Sequence, residues 1–254
     1  MIFPLPELVY LGWTYIVINA VLLFTKPKEV TKENEDPAVF LNFLKREQQV
    51  YKYIEASPYE LLAGYDINLK PLFADMKKYP HLLVSGLGNQ GKSWCVKQMI
   101  KNLTGANYVV LNGFREDFED AIIGNDINEF FKTLLGNLVV QEKPFYIFID
   151  ELATVTDKTT LKYIERILCD GRHFNIFVVG IIQRPSKKSL EFKDLFNTVI
   201  SFRQRDETNY RLVFNSGIDV ILKPREFVMM TDDLYFGETY LITDVKSDDN
   251  LIVV

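Results

Sequence analysis

Cysteine and histidine are scarce in this chain of 254 residues: two of each, Cys95 and Cys169, His81 and His173. Two cysteines cannot frame a disulfide scaffold, and two histidines without further thiols give no zinc site of ordinary composition. An excess of positive charge is missing too. Twenty-nine Lys and Arg against 34 Asp and Glu leave a formal net charge of -5, which excludes a protein that coats nucleic acid over its whole surface, so any such contact has to be local. There is no internal repeat and no low-complexity tract. What is present is an ordinary globular composition, 48% hydrophobic and 25% charged, enough for one core with a small appendage and too apolar for disorder.

From Leu8 to Phe24 the chain carries no charge at all. As a helix these residues would span ~26 Å against a hydrocarbon core of ~30 Å, the lower limit for a membrane crossing. Tyr10, Trp13 and Tyr15 are of the type found at headgroup depth, and Lys26, Lys28 and Lys32 follow the stretch while no Lys or Arg precedes it. That order predicts a single-pass anchor over residues 1–25 with everything after it cytoplasmic, and it is the reverse of a secretory signal. A buried or peripheral N-terminal helix is the alternative that Asn19 and the marginal length support. Residues 26–58 read as a charged, proline-punctuated linker followed by a helix over Val39–Ile54, and residues 59–254 as the main globular domain.

The strongest signal is a short apolar run, His81 to Ser85, leading directly into Gly86-Leu87-Gly88-Asn89-Gln90-Gly91-Lys92-Ser93, the full G-x-x-x-x-G-K-[ST] pattern. Glycines at 86, 88 and 91 allow dihedrals that turn successive N–H groups onto phosphate oxygens. Lys92 is then placed for the β and γ phosphates and the Ser93 hydroxyl for Mg2+. Val96, Met99, Ile100 and Leu103 recur at helical spacing, so a helix starting near Trp94 points its N-terminus at the anion. A glycine turn can be only a turn. Here the strand before it and the helix after it predict a nucleotide cradle formed by Gly86 to Trp94.

A second apolar strand, Phe145 to Ile149, ends in Asp150-Glu151. Asp150 is placed to hold the metal together with Ser93, and Glu151 to orient or deprotonate a water. The bland reading makes one acid a helix cap and the other a solvated loop residue. Beside a phosphate loop, paired acids suit hydrolysis better than phosphoryl transfer to a bound acceptor. No N-K-x-D occurs, so ATP is favoured over GTP. Lys158–Cys169 has one apolar face and Asp157 as a candidate cap, and a near-continuous apolar strand then runs to Gln183-Arg184-Pro185-Ser186.

Several of these stretches resemble the motor domain of the FtsK/SpoIIIE branch of the FtsK-HerA superfamily of DNA-pumping ATPases. They are Gly64–Asp75, Pro80–Val84 with the phosphate loop, Asp150-Glu151, Gly171-Arg172 leading to Gln183–Ser186, and Val199–Leu222 with Phe202, Arg211 and Gly217. The resemblance covers about residues 60–230. It implies an α/β, RecA-like P-loop NTPase fold (ASCE) with a mainly parallel central sheet flanked by helices. By position it implies that Gln183 is a polar γ-phosphate sensor on the strand between the loop strand and the acid strand. Arg172 becomes a finger reaching a neighbouring subunit's nucleotide, where the bland reading is a surface salt bridge or a helix C-terminal cation, and Arg211 a weaker candidate for that duty. Ile182 stands where the family commonly has threonine, and Gly217-Ile218 where it has Gly-Ala. Phe227–Met230 and Thr239–Val245 read as closing strands.

Cellular members of the family carry several membrane spans, a long linker and a DNA-reading winged helix, none of which fits here. A small motor with one anchor is similar to proteins that viruses and mobile elements use. The resemblance thus implies ATP and Mg2+ as cofactors and a homohexamer with DNA in its pore. It implies packaging or extrusion of a viral genome, with capsid or secretion-channel proteins as partners. Conjugative transfer and a non-motor, membrane-tethered nucleotide switch or scaffold are the alternatives. Lys187, Lys188, Lys193, Arg203 and Arg205 are candidate DNA contacts, each of which could equally be a solvated surface cation.

Overall fold

A computed structural model describes residues 50–52, 56–68, 70–113, 126–186, 192–218, 220–239 and 251–253. The membrane helix expected at Leu8–Phe24, the linker, and Lys187 and Lys188 lie outside these residues. All the described residues belong to one compact unit, Gln48–Val254.

The strands are β1 (Val50–Lys52), β2 (Glu60–Tyr65), β3 (Pro71–Asp75), β4 (Leu82–Ser85), β5 (Asn107–Leu111), β6 (Phe145–Ile149), β7 (Ile176–Ile182), β8 (Thr198–Phe202), β9 (Glu226–Met230), β10 (Leu234–Glu238) and β11 (Leu251–Val253). The helices are α1 (Lys92–Lys101), α2 (Asp126–Gly136), α3 (Lys158–Asp170) and α4 (Glu207–Phe214). Nine strands form one sheet in the order β3-β2-β10-β9-β8-β4-β7-β6-β5. β5, β6, β7, β4 and β8 are mutually parallel, while β9, β10, β2 and β3 extend the sheet with antiparallel pairs. The sheet is therefore mixed, where a mainly parallel one was expected. The antiparallel wing is built from short hairpins, β2–β3 and β9–β10, which need no crossover helix.

The parallel strands are apolar on both faces because helices cover both. Tyr146 and Phe148 of β6 join Leu82, Val84, Val179 and Ile181 in a core against Val96 and Met99 of α1. Ile147 and Ile149 join Leu83, Val178 and Ile182 in a second core against Phe131 of α2, Ile164 and Ile167 of α3 and Val213 of α4. Strict alternation along each strand sends successive side chains to opposite layers. Asp157 caps α3 as expected. Its carboxylate accepts from the Thr160 N–H at 2.7 Å and the Thr160 hydroxyl at 2.8 Å, and these bonds hold the acid below the usual carboxylate range.

One expectation fails at the margin. Val50–Lys52, the end of the helix expected over Val39–Ile54, is strand and pairs with β11; a handful of apolar residues at near-helical spacing cannot outweigh a partner strand that is remote in sequence. A strand is found at Leu234–Glu238, and of the closing strand expected over Thr239–Val245 all but Thr239 lies outside the described residues. The observed strand, β10, follows β9 by a tight turn over Thr231–Asp233, closed by the Thr231 N–H to the Asp233 carbonyl.

His81, at the entry to β4, is 1% exposed, and its Nδ1 accepts from the Val178 N–H at 2.9 Å. Burial pulls its pKa from 6.5 to about 4. The unfolded chain therefore binds the proton first, and stability falls as pH drops from 6.5 towards 4, by up to about 3 kcal/mol, then levels off for this group. Urea unfolding at pH 7.5, 5.5 and 4 checks this, with His81→Asn, which tolerates the same left-handed backbone (φ 65°), expected to flatten the upper part of that slope.

Candidate functional site

The ends of β4, β6 and β7 lie at one edge of the sheet, because the three strands are parallel and in register. β4 runs into the phosphate loop, β6 into Asp150-Glu151 and β7 into Gln183, with β7 between the other two. The expected position of the sensor strand is thus observed.

The loop is pinned at its root. Gly86 sits at φ 150°, and a Cβ there would lie 2.7 Å from Cβ of Phe202 at the end of β8. The Leu87 N–H donates to the Arg203 carbonyl at 2.9 Å. Asn89 and Gly91 take left-handed dihedrals, φ 59° and 112°. The far side is held by Arg225, whose N–H donates to the Gln90 carbonyl at 2.8 Å. Gly91, the cap of α1, supplies no side-chain bond, and the first turn of α1 has no acid. The orphan N–H groups of that turn are what an anion would satisfy.

Lys92 is 9% exposed and its ammonium donates to the Leu87 carbonyl at 2.7 Å, folded back over the loop it belongs to. Burial lowers its pKa, and the charges of Glu151 and Asp150 partly restore it. Both acids therefore feel the lysine across the cradle. Ser93 is half-buried in the first turn of α1, and Trp94 beside it is 43% exposed with the Lys97 ammonium 5.5 Å from its ring centre. Among the described residues no cluster of three His, Cys, Asp or Glu exists. A hard cation such as Mg2+ does not need one, since it takes one or two protein oxygens and fills its shell with phosphate and water. The Ser93 hydroxyl and the Asp150 carboxylate are donors of that kind.

Glu151 has left-handed dihedrals, φ 44° and ψ 58°, a conformation that costs a residue with a Cβ roughly 1–2 kcal/mol. Neighbouring bonds over-determine it. The Glu151 N–H donates to Asp150 Oδ1 at 3.1 Å, and its carbonyl accepts from the Thr154 hydroxyl at 2.9 Å and the Thr154 N–H at 2.8 Å. Asn112, after β5, donates from Nδ2 to the Asp150 carbonyl at 2.9 Å and to the Thr154 hydroxyl at 2.7 Å. Asn112 and Thr154 were not among the residues expected from sequence; the Asn-Gly after the apolar run of β5 was the available sign. The Gln183 N–H donates to Glu151 Oε1 at 3.4 Å. The side chain of Gln183 lies over Gly88, where an added Cβ would stand 2.6 Å from Nε2. Gln183 thus touches both the loop and the acid.

Arg172 does not join this group. It lies in a 3-10 turn, Gly171–Phe174, before β7, a strand length of ~23 Å from the cradle of its own chain, beyond the reach of its side chain. Arg211 is paired with Glu207 at 2.6 Å along α4. Lys193 donates to the Leu212 carbonyl at 2.5 Å and to Asn215 Oδ1, tying its turn to the end of α4. Arg203 and Arg205 are exposed beside the loop root.

A stretch of 76 residues is 40% identical to the DNA translocase FtsK of Pseudomonas putida, covering 30% of this chain and only 9% of that one. The pCW3 conjugation coupling protein TcpA, solved with ATPγS, superposes with a TM-score of 0.62 at 18% identity over 74% of this chain and 67% of its own. The cytoplasmic domain of the type VII secretion ATPase EccC of Thermomonospora curvata gives 0.60 at 15% identity over 87% and 32%. No protein-family model matches.

Two glycines separate support of the loop from its use. Gly86→Ala, forced against Phe202 by both backbone and side chain, is expected to lower stability by about 2–3 kcal/mol. Gly88→Ala meets only the end of a flexible glutamine, so stability should stay within about 0.5 kcal/mol while nucleotide affinity falls as Gln183 is displaced. Urea denaturation and calorimetric titration with ATP distinguish the two.

Proposed function

We propose, from the FtsK-HerA-like P-loop domain that this chain contains, that it is an ATPase coupling ATP hydrolysis to movement of DNA. The observation that carries the reading is the placement of Lys92, Ser93, Asp150, Glu151 and Gln183 on one sheet edge by three adjacent parallel strands. The loop amides and Lys92 neutralise the triphosphate. Ser93 and Asp150 would hold Mg2+, which supplies charge neutralisation on the phosphates. Glu151, aimed by its constrained backbone, takes the proton of an attacking water, and Gln183 spans the gap between that acid and the γ-phosphate position.

The cargo is the finer part of the proposal. Secretion ATPases and a conjugation coupling protein share this fold, so the fold by itself does not choose between DNA and polypeptide. The local identity to a DNA translocase favours DNA. In this reading subunits close into a ring, a homohexamer, with DNA in the pore, and Arg172 acts on a neighbour's nucleotide, consistent with its distance from its own. An apolar segment at Leu8–Phe24 would tether the ring to a membrane with the ATPase domain on the cytoplasmic side. Genome packaging or extrusion by a virus, with capsid or channel proteins as partners, is our first assignment, and conjugative transfer the second.

Steady-state turnover with and without DNA tests the central claim: stimulation is expected, and a folded, oligomeric protein that hydrolyses ATP with no response to DNA would overturn it. Glu151→Gln should keep ATP affinity within about twofold and lose turnover by a factor of about 100 or more. Arg172→Ala should lose hydrolysis alone but recover part of it when mixed with Lys92→Ala subunits, since each supplies what the other lacks. No gain on mixing removes the finger assignment.

A further inference from the structure

The turn after β8 carries two exposed arginines on either side of a buried glutamine, Arg203-Gln204-Arg205. Because β8 is parallel to β4, with Ser201 opposite Ser85, this turn stands at the same sheet edge as the phosphate loop. It is bonded to that loop twice. The Arg203 carbonyl accepts from the Leu87 N–H at 2.9 Å, and Gln204 Nε2 donates to the hydroxyls of Ser85 and Ser201 at 2.9 Å each. Gln204 is 4% exposed, and its own N–H is 3.2 Å from the Tyr210 hydroxyl of α4. A displacement of the turn is therefore a displacement of the residue before Gly86.

The nearby acids do not neutralise the arginines. Asp206 accepts from the Asn209 N–H at 3.0 Å as the cap of α4, and Glu207 is held by Arg211. Among the described residues neither Arg203 nor Arg205 has an ion-pair partner. With Lys193 committed to α4, these two exposed cations stand beside the loop root, and both line a cavity of about 260 Å³ with Tyr210 and Leu222.

We propose that Arg203 and Arg205 contact the phosphates of a DNA backbone and that Gln204 transmits the contact to the phosphate loop through Ser85 and the Leu87 peptide. The proposal rests on the DNA-dependent ATPase reading above and supplies the path by which DNA would alter turnover. Gln204 is a positioning residue in this scheme. Phosphate is a chemistry shared by DNA and nucleotide, and the experiment separates the two.

The full chain is titrated with a short duplex across a salt series, and ATP turnover is measured with and without that duplex. Arg203→Ala with Arg205→Ala should weaken DNA binding about tenfold or more and reduce the slope of log affinity against log salt by about 2, one contact for each arginine. The double Lys variant should restore the slope. Gln204→Met, which keeps the volume and removes the amide, should leave DNA affinity and slope within about twofold while stimulation by DNA falls at least fivefold. If Gln204→Met lowers the unfolding midpoint enough to obscure this, Ser85→Ala cuts the same link and should give the same split. An unchanged salt slope in the double Ala variant overturns the contact. A raised KM for ATP in that variant without DNA assigns the arginines to nucleotide and also overturns it. Full stimulation in both Gln204→Met and Ser85→Ala overturns the transmission. Unmodified chain that binds no DNA at all removes the parent reading and this one with it, a failure visible before any variant is made.

Discussion

The first turn of α1 presents backbone N–H groups that its cap, Gly91, leaves without a side-chain bond and among which no acid stands, and the surroundings are arranged around that unmet demand. Gly91 contributes no side-chain cap, Lys92 bonds the Leu87 carbonyl, and the acids after β6 partly offset the effect of burial on that lysine. A cradle of this kind is functional only if it cannot collapse onto itself. Phe202 and Arg203 hold its root and Arg225 holds its far wall. Rigid support from elements distant in sequence keeps a glycine-rich loop open.

The same logic governs the acid. A glutamate in the left-handed region would relax elsewhere if its neighbours allowed it. Asn112 and Thr154 remove that freedom by bonding the carbonyls on either side of it and each other. The outermost parallel strand, β5, thus has a task beyond closing the sheet: it delivers the side chain that fixes the turn after β6. Gln183, on the strand between, is within reach of both Gly88 and Glu151. The three polar ends form a connected group rather than three independent ligands.

The division of labour between the two halves of the sheet follows. The parallel strands bear the chemistry because their C-terminal ends converge. The antiparallel strands brace it, for Arg225 precedes β9 and Thr239 follows β10, and these two are joined by the Thr239 N–H to the Arg225 carbonyl at 3.0 Å. Bracing of this kind gives a physical reason why the fold would retain a wing that contributes none of Lys92, Ser93, Asp150, Glu151 or Gln183.

Local chemistry was legible in the chain itself. The glycines at 86, 88 and 91, the Lys92-Ser93 pair, the apolar run into Asp150-Glu151 and the cap at Asp157 each act through neighbours a few residues away, so spacing suffices to find them. The strand order placing Gln183 between loop and acid came from a family likeness rather than from periodicity. What sequence did not reveal are the partners remote in the chain: Asn112 with Thr154, Gln204 with Ser85, Arg225 with Gln90, and β1 with β11. None has a local signature, because an asparagine or glutamine reads the same whether it faces water or a carbonyl from a strand 38 or 119 positions away. Arg172 shows the converse. Its motif was readable, but only the direction of β7 decided that it stands at the opposite end of the sheet from the glycine-rich loop of its own chain. Bond-forming groups were fixed by short-range pattern; the constraints that aim them required the folded chain, since long-range pairing is chosen by packing of whole layers and not by the residues that exploit it.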